Sequence, residues 1–319
     1  MKNLVKSCLQ SVQLGTPQMF KGVAIVPLTA RKDGTCQYRS LGEALTRSDI
    51  AITEVSESGS VPELLVVNRG DRPVLLIDGE ELAGAKQNRV LNTSILLKEM
   101  SETRIPVSCT EQGRWSPVSK VFSESGNVMA YKTRSRKTRS VHSSLESSGN
   151  HRSDQGEVWR GISELQSKTG THSPTSAMND VFKAHAQDLK RCDEIFNSVP
   201  NQVGFIAFIG GVPAGLDIVS LKGMYTKLHS KLVRSYALDG LFDAKDQPLD
   251  PDSVVRQAKT FLDEIGSTDE QEFTSIGYGQ DHRLRGKGLG GTALVHKNEI
   301  IHAAIFRFDK PEQRESPRL

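Results

Sequence analysis

Asp78, Glu80 and Glu81 are followed within a few residues by Lys86, Gln87, Asn88 and Arg89, with Gly79 and Gly84 between them. The apolar run Leu75-Leu76-Ile77 leads straight into this stretch, so Asp78 falls at the end of a strand and the other carboxylates in the turn after it. Gly79 leaves that turn free to take positive φ. Adjacent carboxylates offer oxygen ligands to a hard cation such as Mg²⁺ or Mn²⁺. Crowded like charges also raise one carboxyl pKa and set a general acid beside a base. Lys86 and Arg89 would then neutralise a phosphate, Arg with the better bidentate geometry, and Gln87 and Asn88 would hydrogen-bond a ribose or base. The structural alternative is a salt-bridge and turn network that pins two strands.

Two further groups carry polar chemistry. Cys109-Thr110-Glu111 closes a strand, and Arg114 and Trp115 follow Gly113. An indole beside an acid and an Arg can stack a base or nicotinamide ring, or simply fill a corner of the core. A thiol needs a base and positive charge to become a nucleophile, and no His is near Cys109 in sequence, so a buried, inert cysteine is the simpler reading. Gly277 to Gly291 carries Arg283, Arg285 and Lys287 among its glycines. Gly288 follows Lys287, which excludes a Walker A loop, and no strand–turn–helix context supports a dinucleotide fingerprint. The stretch reads as a Gly- and Arg-rich loop, either merely exposed or able to close over an anion. His302 sits between apolar neighbours on a predicted strand, as a core histidine or, with His282 and the Asp78 group, part of a metal or acid/base site.

Three motifs together resemble one family. They are Asp78-Gly79-Glu80-Glu81-Leu82-x-Gly84-x-Lys86-Gln87-Asn88-Arg89, Val107-Ser108-Cys109-x-Glu111-x-Gly113-Arg114-Trp115, and Ile301-His302-x-x-x-Phe306. The stretch from about Gly22 to Phe308 is similar to the ADP-ribosylglycohydrolase- and rhodanese/phosphatase-associated protein domain family. The resemblance implies an association with enzymes of NAD and ADP-ribose metabolism, and no defined reaction.

The elements that must position these groups are short. Strands are expected at Gly22–Leu28, Ile50–Val55, Glu63–Asn68, Pro73–Ile77, Val90–Leu97 and Arg104–Cys109, with Arg69-Gly70-Asp71-Arg72 as a hairpin loop and one or two helical turns from Leu41 to Arg47. Lys132 to Arg139 is a basic, hydroxyl-rich tract continuing in serines to Ser153. It reads as a mobile surface loop, alternatively as an electrostatic contact for phosphate-bearing ligands or nucleic acid, and as an addition to the shared family pattern. Helices are expected over Glu157–Gln166, Ser176–Phe196, Met224–Leu241 and Asp252–Ile265, capped by Ser176 in one case and by Asp252 or Ser253 in another. Strands at Gly204–Ile209 and Leu216–Val219, and a closing hairpin turning at Lys297-Asn298, complete a second, smaller sheet.

With 319 residues, 36% hydrophobic and 25% charged, the chain has the composition of one large core or two modest ones. A net charge of +3 argues against a dedicated nucleic-acid coat. Cys8, Cys36, Cys109 and Cys192 form no CxxC pair, as expected of reduced thiols. The N-terminus lacks the roughly 7–15 apolar residues of a secretory signal, and no segment reaches the ~18 of a membrane span. A cytoplasmic protein is expected. The fold class is α+β, mainly antiparallel sheets with a helical middle segment, divided as a β-rich part (1–125), a basic Ser-rich loop (126–156) and a helical segment with a smaller α+β part (157–319), the last either a unit of its own or one compact domain with 1–125. The functional expectation is an enzyme acting on a nucleotide, NAD or ADP-ribose type of phosphorylated ligand. The alternatives are a non-catalytic nucleotide- or RNA-binding module, and a structural partner of a neighbouring enzyme.

Overall fold

A computed structural model describes residues 4–56, 61–243 and 248–308. The N-terminal stretch read for a secretory signal lies partly outside them, at residues 1–3. The largest sheet has nine strands. Its main path runs Gln13–Leu14, Val23–Thr29, Gln202–Ile209, Val212–Val219, Glu299–Arg307, Leu289–His296, Gln280–Gly286 and Asp269–Thr274, with Gln18–Phe20 also paired to Val23–Thr29. Every pairing in it is antiparallel. The C-terminal half therefore builds the larger sheet, not the smaller, and the Val23–Thr29 strand from the N-terminal part joins it one strand in from its edge.

Period-two side-chain alternation sorts this sheet onto two cores. Ala24, Val26, Ile206 and Phe208 pack with Phe261 and Ile265 of the Pro251–Ile265 helix and with Val5 and Leu9 of the Leu4–Ser11 helix. Val23, Ile25, Phe205 and Ala207 face the other way, onto Leu232 and Tyr236 of the Lys222–Asp243 helix. The closing hairpin turns at Lys297 and Asn298, both at positive φ (51° and 60°), as a two-residue turn between twisted strands requires.

The N-terminal strands form a six-stranded sheet ordered Phe122–Val128, Glu80–Gly84, Arg89–Leu91, Ser101–Cys109, Glu63–Asn68 and Ile50–Glu54, and a three-stranded one of Ile95–Leu97, Val74–Leu76 and Arg39–Ser40. Glu63–Asn68 and Val74–Leu76 lie in different sheets, so residues 69–72 join two sheets and do not form a hairpin. The expected Val90–Leu97 strand is broken at Asn92-Thr93-Ser94, and those three polar residues turn into the interior. The fold is α+β and mostly antiparallel, as expected.

The basic tract is the largest departure. Residues Tyr131–Ser148 form an α-helix with Arg134, Lys137 and Thr138 buried, ended by Gly149 at φ 68°. It packs on the Gln155–Thr169 helix and on the large sheet. Its charged residues are tolerated inside because carboxylates distant in sequence meet them there. The Gly- and Arg-rich stretch is likewise ordered, as the Gln280–Gly286 strand. The long helix expected from Ser176 is two, Met178–Ala184 and Ala186–Ile195, and Ser176 lies outside at φ 53°. Asp250, not Asp252 or Ser253, caps the Pro251–Ile265 helix by accepting from the N–H groups of both.

Candidate functional site

Asp78 lies at the turn between Val74–Leu76 and Glu80–Gly84, where Gly79 takes φ 80°. A Cβ on Gly79 would lie 2.8 Å from Arg134 Cδ, so the turn must be glycine for the arginine to pass. Arg134 Nε donates to Asp78 Oδ2 at 3.0 Å, and its Nη1 and Nη2 donate to Asp217 Oδ2 and Oδ1 at 3.1 and 2.8 Å. Lys137 Nζ donates to Asp78 Oδ1 and, at 3.0 Å, to the Asn92 carbonyl. The Asp78 N–H donates to Ser94 Oγ at 2.9 Å, and Ser94 Oγ lies 2.7 Å from His302 Nδ1. His302 Nε2 closes the ring 3.4 Å from Asp217 Oδ1, without hydrogen-bond geometry.

Asp78, Arg134, Lys137, Asp217 and His302 are all fully buried. Burial pushes the Asp78 carboxyl up, but Lys137 and Arg134 outweigh it and hold it below the usual carboxylate range. Asp217 is held low against burial by Arg134 and His302. Both carboxylates are thus charged and both engaged. A second buried group adjoins: Asp281 Oδ2 accepts from Arg283 Nη2 at 2.6 Å and Thr93 Oγ1 at 3.0 Å, and lies 3.0 Å from His151 Nε2.

Glu80 and Glu81 do not join Asp78. Glu80 turns to Lys231, which also donates to Glu124 Oε1 at 2.6 Å. Burial, with Glu124 beside it, leaves the Glu80 carboxyl above its ordinary range although Lys231 opposes. Glu81 Oε1 accepts from Thr110 Oγ1 at 2.8 Å, and burial pushes its carboxyl up to about 7. Glu80 and Glu81, neighbours on one strand, face opposite ways, and Asp78 lies in the turn before it, so the three carboxylates meet three different partners. They do not make one ligand set for Mg²⁺ or Mn²⁺, and no group of three or more His, Cys, Asp or Glu among the described residues is arranged to hold a metal.

The other sequence candidates do converge. Arg114 Nη2 donates to Glu111 Oε2 at 2.6 Å and Asn88 Oδ1 at 3.3 Å. Gln87 Nε2 donates to the Glu111 carbonyl at 2.9 Å, while its Oε1 accepts from Arg89 Nη1 at 2.7 Å. Glu111 is held below its usual range, Arg114 and Thr175 outweighing its burial. Trp115 is 48% exposed. Lys86 Nζ lies 5.4 Å and Arg89 Cζ 5.7 Å from its ring centroid. Arg89 is fully buried, yet its Nε and Nη2 carry no hydrogen bond. Glu54 is its ion-pair partner, with Oε1 3.9 Å from Nη2, and both Glu54 oxygens are buried without a hydrogen bond. Cys109 Sγ accepts from Arg89 Nη1 at 3.0 Å, but burial keeps the thiol above its ordinary pKa.

Arg285 stands apart from this corner, exposed and paired with Glu146 at 2.6 Å. His282 pairs with Glu270 at 2.6 Å and does not meet His302. Most of the basic tract's charge is paired or turned inward: Lys132 pairs with Asp243 at 3.0 Å, Arg136 with Glu164 at 2.5 Å, and Arg134 and Lys137 turn inward, while Arg139 is exposed. Sequence reasoning missed Asp217, Lys231, Asp281 and Tyr236, whose hydroxyl donates to Asp217 Oδ2 at 2.8 Å. Asp217 carried a signal, a charged residue inside the apolar run Leu216-Asp217-Ile218-Val219, which calls for a buried partner.

Among known proteins, the family model of the ARG and Rhodanese-Phosphatase-superfamily-associated Protein domain matches residues 11–306. That span includes the Tyr131–Ser148 helix. No curated protein and no solved structure matches the chain. No helix among the described residues is long and apolar enough to cross a membrane.

Proposed function

This chain belongs to the ARG and Rhodanese-Phosphatase-superfamily-associated Protein domain family, and we propose that it is a binding module for a phosphorylated, nucleotide-type ligand seated at the Trp115 corner. One observation carries the reading. A half-exposed indole covers a buried guanidinium with two unused N–H positions, and a Lys lies beside the same ring. Donors buried without a partner cost stability, and a ligand or water supplies what the protein leaves unmade. The indole offers a face for a base or nicotinamide ring, Lys86 a charge for a phosphate, and the Glu111–Arg114 pair fixes the loop beneath. Asp78 supports this reading by contrast, since both of its oxygens are already taken.

The test is thermal shift and Trp fluorescence with ADP-ribose, NAD, mononucleotides and short RNA, each with and without Mg²⁺. A saturable shift lost in Trp115→Ala is expected, because a ligand of the native state raises the melting temperature by mass action. Silence across the panel would sink the reading and favour a structural partner of another protein.

A second reading, acid–base catalysis, draws support from Glu81, whose carboxyl titrates near neutrality inside the protein. It predicts turnover of one of these ligands, abolished in Glu81→Gln while binding persists. Binding without turnover would remove it.

A further inference from the structure

The Tyr131–Ser148 helix leaves a cleft of about 310 Å³ against the hairpin made by Gln280–Gly286 and Leu289–His296. Its lining includes Thr138, Arg139, His142, Leu284, Arg285 and Phe308. Three features set it apart from an ordinary surface groove.

The first is unpaired cationic donors. Arg139 is exposed, and its guanidinium lies 5.4 Å from the Phe308 ring centroid, on an aromatic face instead of a carboxylate. Arg283 precedes Arg285 by two positions and so shares its face of the strand. It is fully buried, one Nη bonded to Asp281 and Thr93, while Nε and Nη1 carry no hydrogen bond.

The second is the field these groups make. His142 lines the cleft and titrates below its ordinary value, through burial first and then through Arg285 and Arg283. Arg285 lines the cleft, while Arg283 lies buried behind it on the same strand face and also acts on Asp78 further in. Glu146, paired with Arg285 at 2.6 Å and 3.8 Å from His142 Nε2, is the carboxylate facing this wall.

The third is Thr138. It lines the cleft, is 2% exposed, and its Oγ1 reaches Asp78 Oδ2 only at a long 3.4 Å. That hydroxyl can turn to a better acceptor at little loss.

We propose that this cleft is an anion site for a dianionic phosphoryl group, held by Arg139 and Arg285 at the rim and by the Thr138 hydroxyl at depth, with the buried positive charge of Arg283 behind them. Donors from two elements and two depths suit a tetrahedral, multiply charged anion better than a planar carboxylate. The site is separate from the Trp115 corner, with no residue in common, so either can fail without the other. Free phosphate and a phosphate monoester present the same group, and the Phe308 ring leaves an apolar surface for the organic part of the ester.

The experiment uses the full chain at constant ionic strength, titrated with inorganic phosphate, glycerol 3-phosphate, phenyl phosphate and, as a control, acetate. Saturable stabilisation by phosphate or an ester, with acetate inert, is expected. Arg139→Gln, a surface change that should leave the fold intact, is expected to weaken binding by about tenfold, the scale of one charge-assisted hydrogen bond. Arg285→Gln should act similarly, and Trp115→Ala should leave phosphate binding unchanged. Tighter binding of phenyl phosphate than of inorganic phosphate would assign the site to esters, and the reverse order to the free anion. Stabilisation that never saturates or is matched by acetate would overturn the proposal. So would equal affinity in wild type and both arginine variants.

Discussion

The Asp78 centre and the Trp115 corner are both rich in charge, yet they spend it differently. Around Asp78 every formal charge meets an opposite one at hydrogen-bond distance, and nothing reaches solvent. Around Trp115 the cationic Arg89 keeps two nitrogens unused, and the ring above it is half exposed. Density of ionisable residues therefore does not locate a ligand site; incomplete satisfaction beside an accessible surface does. The Asp78 ring is better described as a clamp. Its charges come from the Asp78 turn, the Tyr131–Ser148 helix and two strands of the large sheet, all of which must meet for any one charge to be tolerated.

Breaking the clamp should have the largest effect. Arg134→Met removes the partner of both Asp78 and Asp217, and unfolding in urea should show a loss of about 5 kcal/mol, or no stable fold. A loss below about 1 kcal/mol would mean that the ring holds nothing together. Lys231→Met should come next. It leaves Glu80 and Glu124 facing each other and should cost about 3–4 kcal/mol, whereas Glu80→Met with Lys231→Met should recover most of that. Additive losses in the double variant would show that the two groups do not form a pair.

Glu81 sharpens the comparison through pH. Its folded-state pKa of about 7 stands above the ordinary carboxylate value, so the native state keeps a proton that the unfolded chain releases. Stability from this group is fully present below about pH 4 and lost as pH rises through 7, by at most about 3 kcal/mol. Asp78 and Asp217, held low, work in the opposite sense and lose their contribution as pH falls through their folded values. Glu81→Gln should accordingly be more stable than wild type at pH 8 and equal to it at pH 4. An unchanged difference across that range would contradict the raised pKa. The smallest stability effect belongs to Trp115→Ala, expected within about 1 kcal/mol because the ring is half exposed, while ligand binding is lost.

Much of this contrast was hidden in the sequence. The strands and their antiparallel character were legible, because alternation and turn residues act locally, as in Ile50–Glu54 and at Lys297-Asn298. The basic tract was not. Arg134, Lys137, Thr138, Val141 and Leu145 recur at helical spacing, but charged residues on that face read as solvated until Asp78 and Asp217 are known to lie against them. The membership of the larger sheet was equally non-local, since the pairing of Val23–Thr29 with Gln202–Ile209 spans most of the chain. At the candidate site, Lys86 to Arg89, Glu111, Arg114 and Trp115 stood out as residue types near glycines, and these do converge. The divergence of Asp78, Glu80 and Glu81 depends on where a turn ends and a strand begins, which composition does not fix.

The most direct test compares ligand binding in two variants chosen from the two regions. Once a nucleotide-type ligand gives a saturable signal with wild type, it is titrated against Trp115→Ala and against the Glu80→Met, Lys231→Met pair exchange, each first verified as folded. The account predicts that binding is lost in Trp115→Ala and retained in the pair exchange. Retention in Trp115→Ala with loss in the pair exchange would contradict it, and would return the acidic turn to the centre of the chemistry.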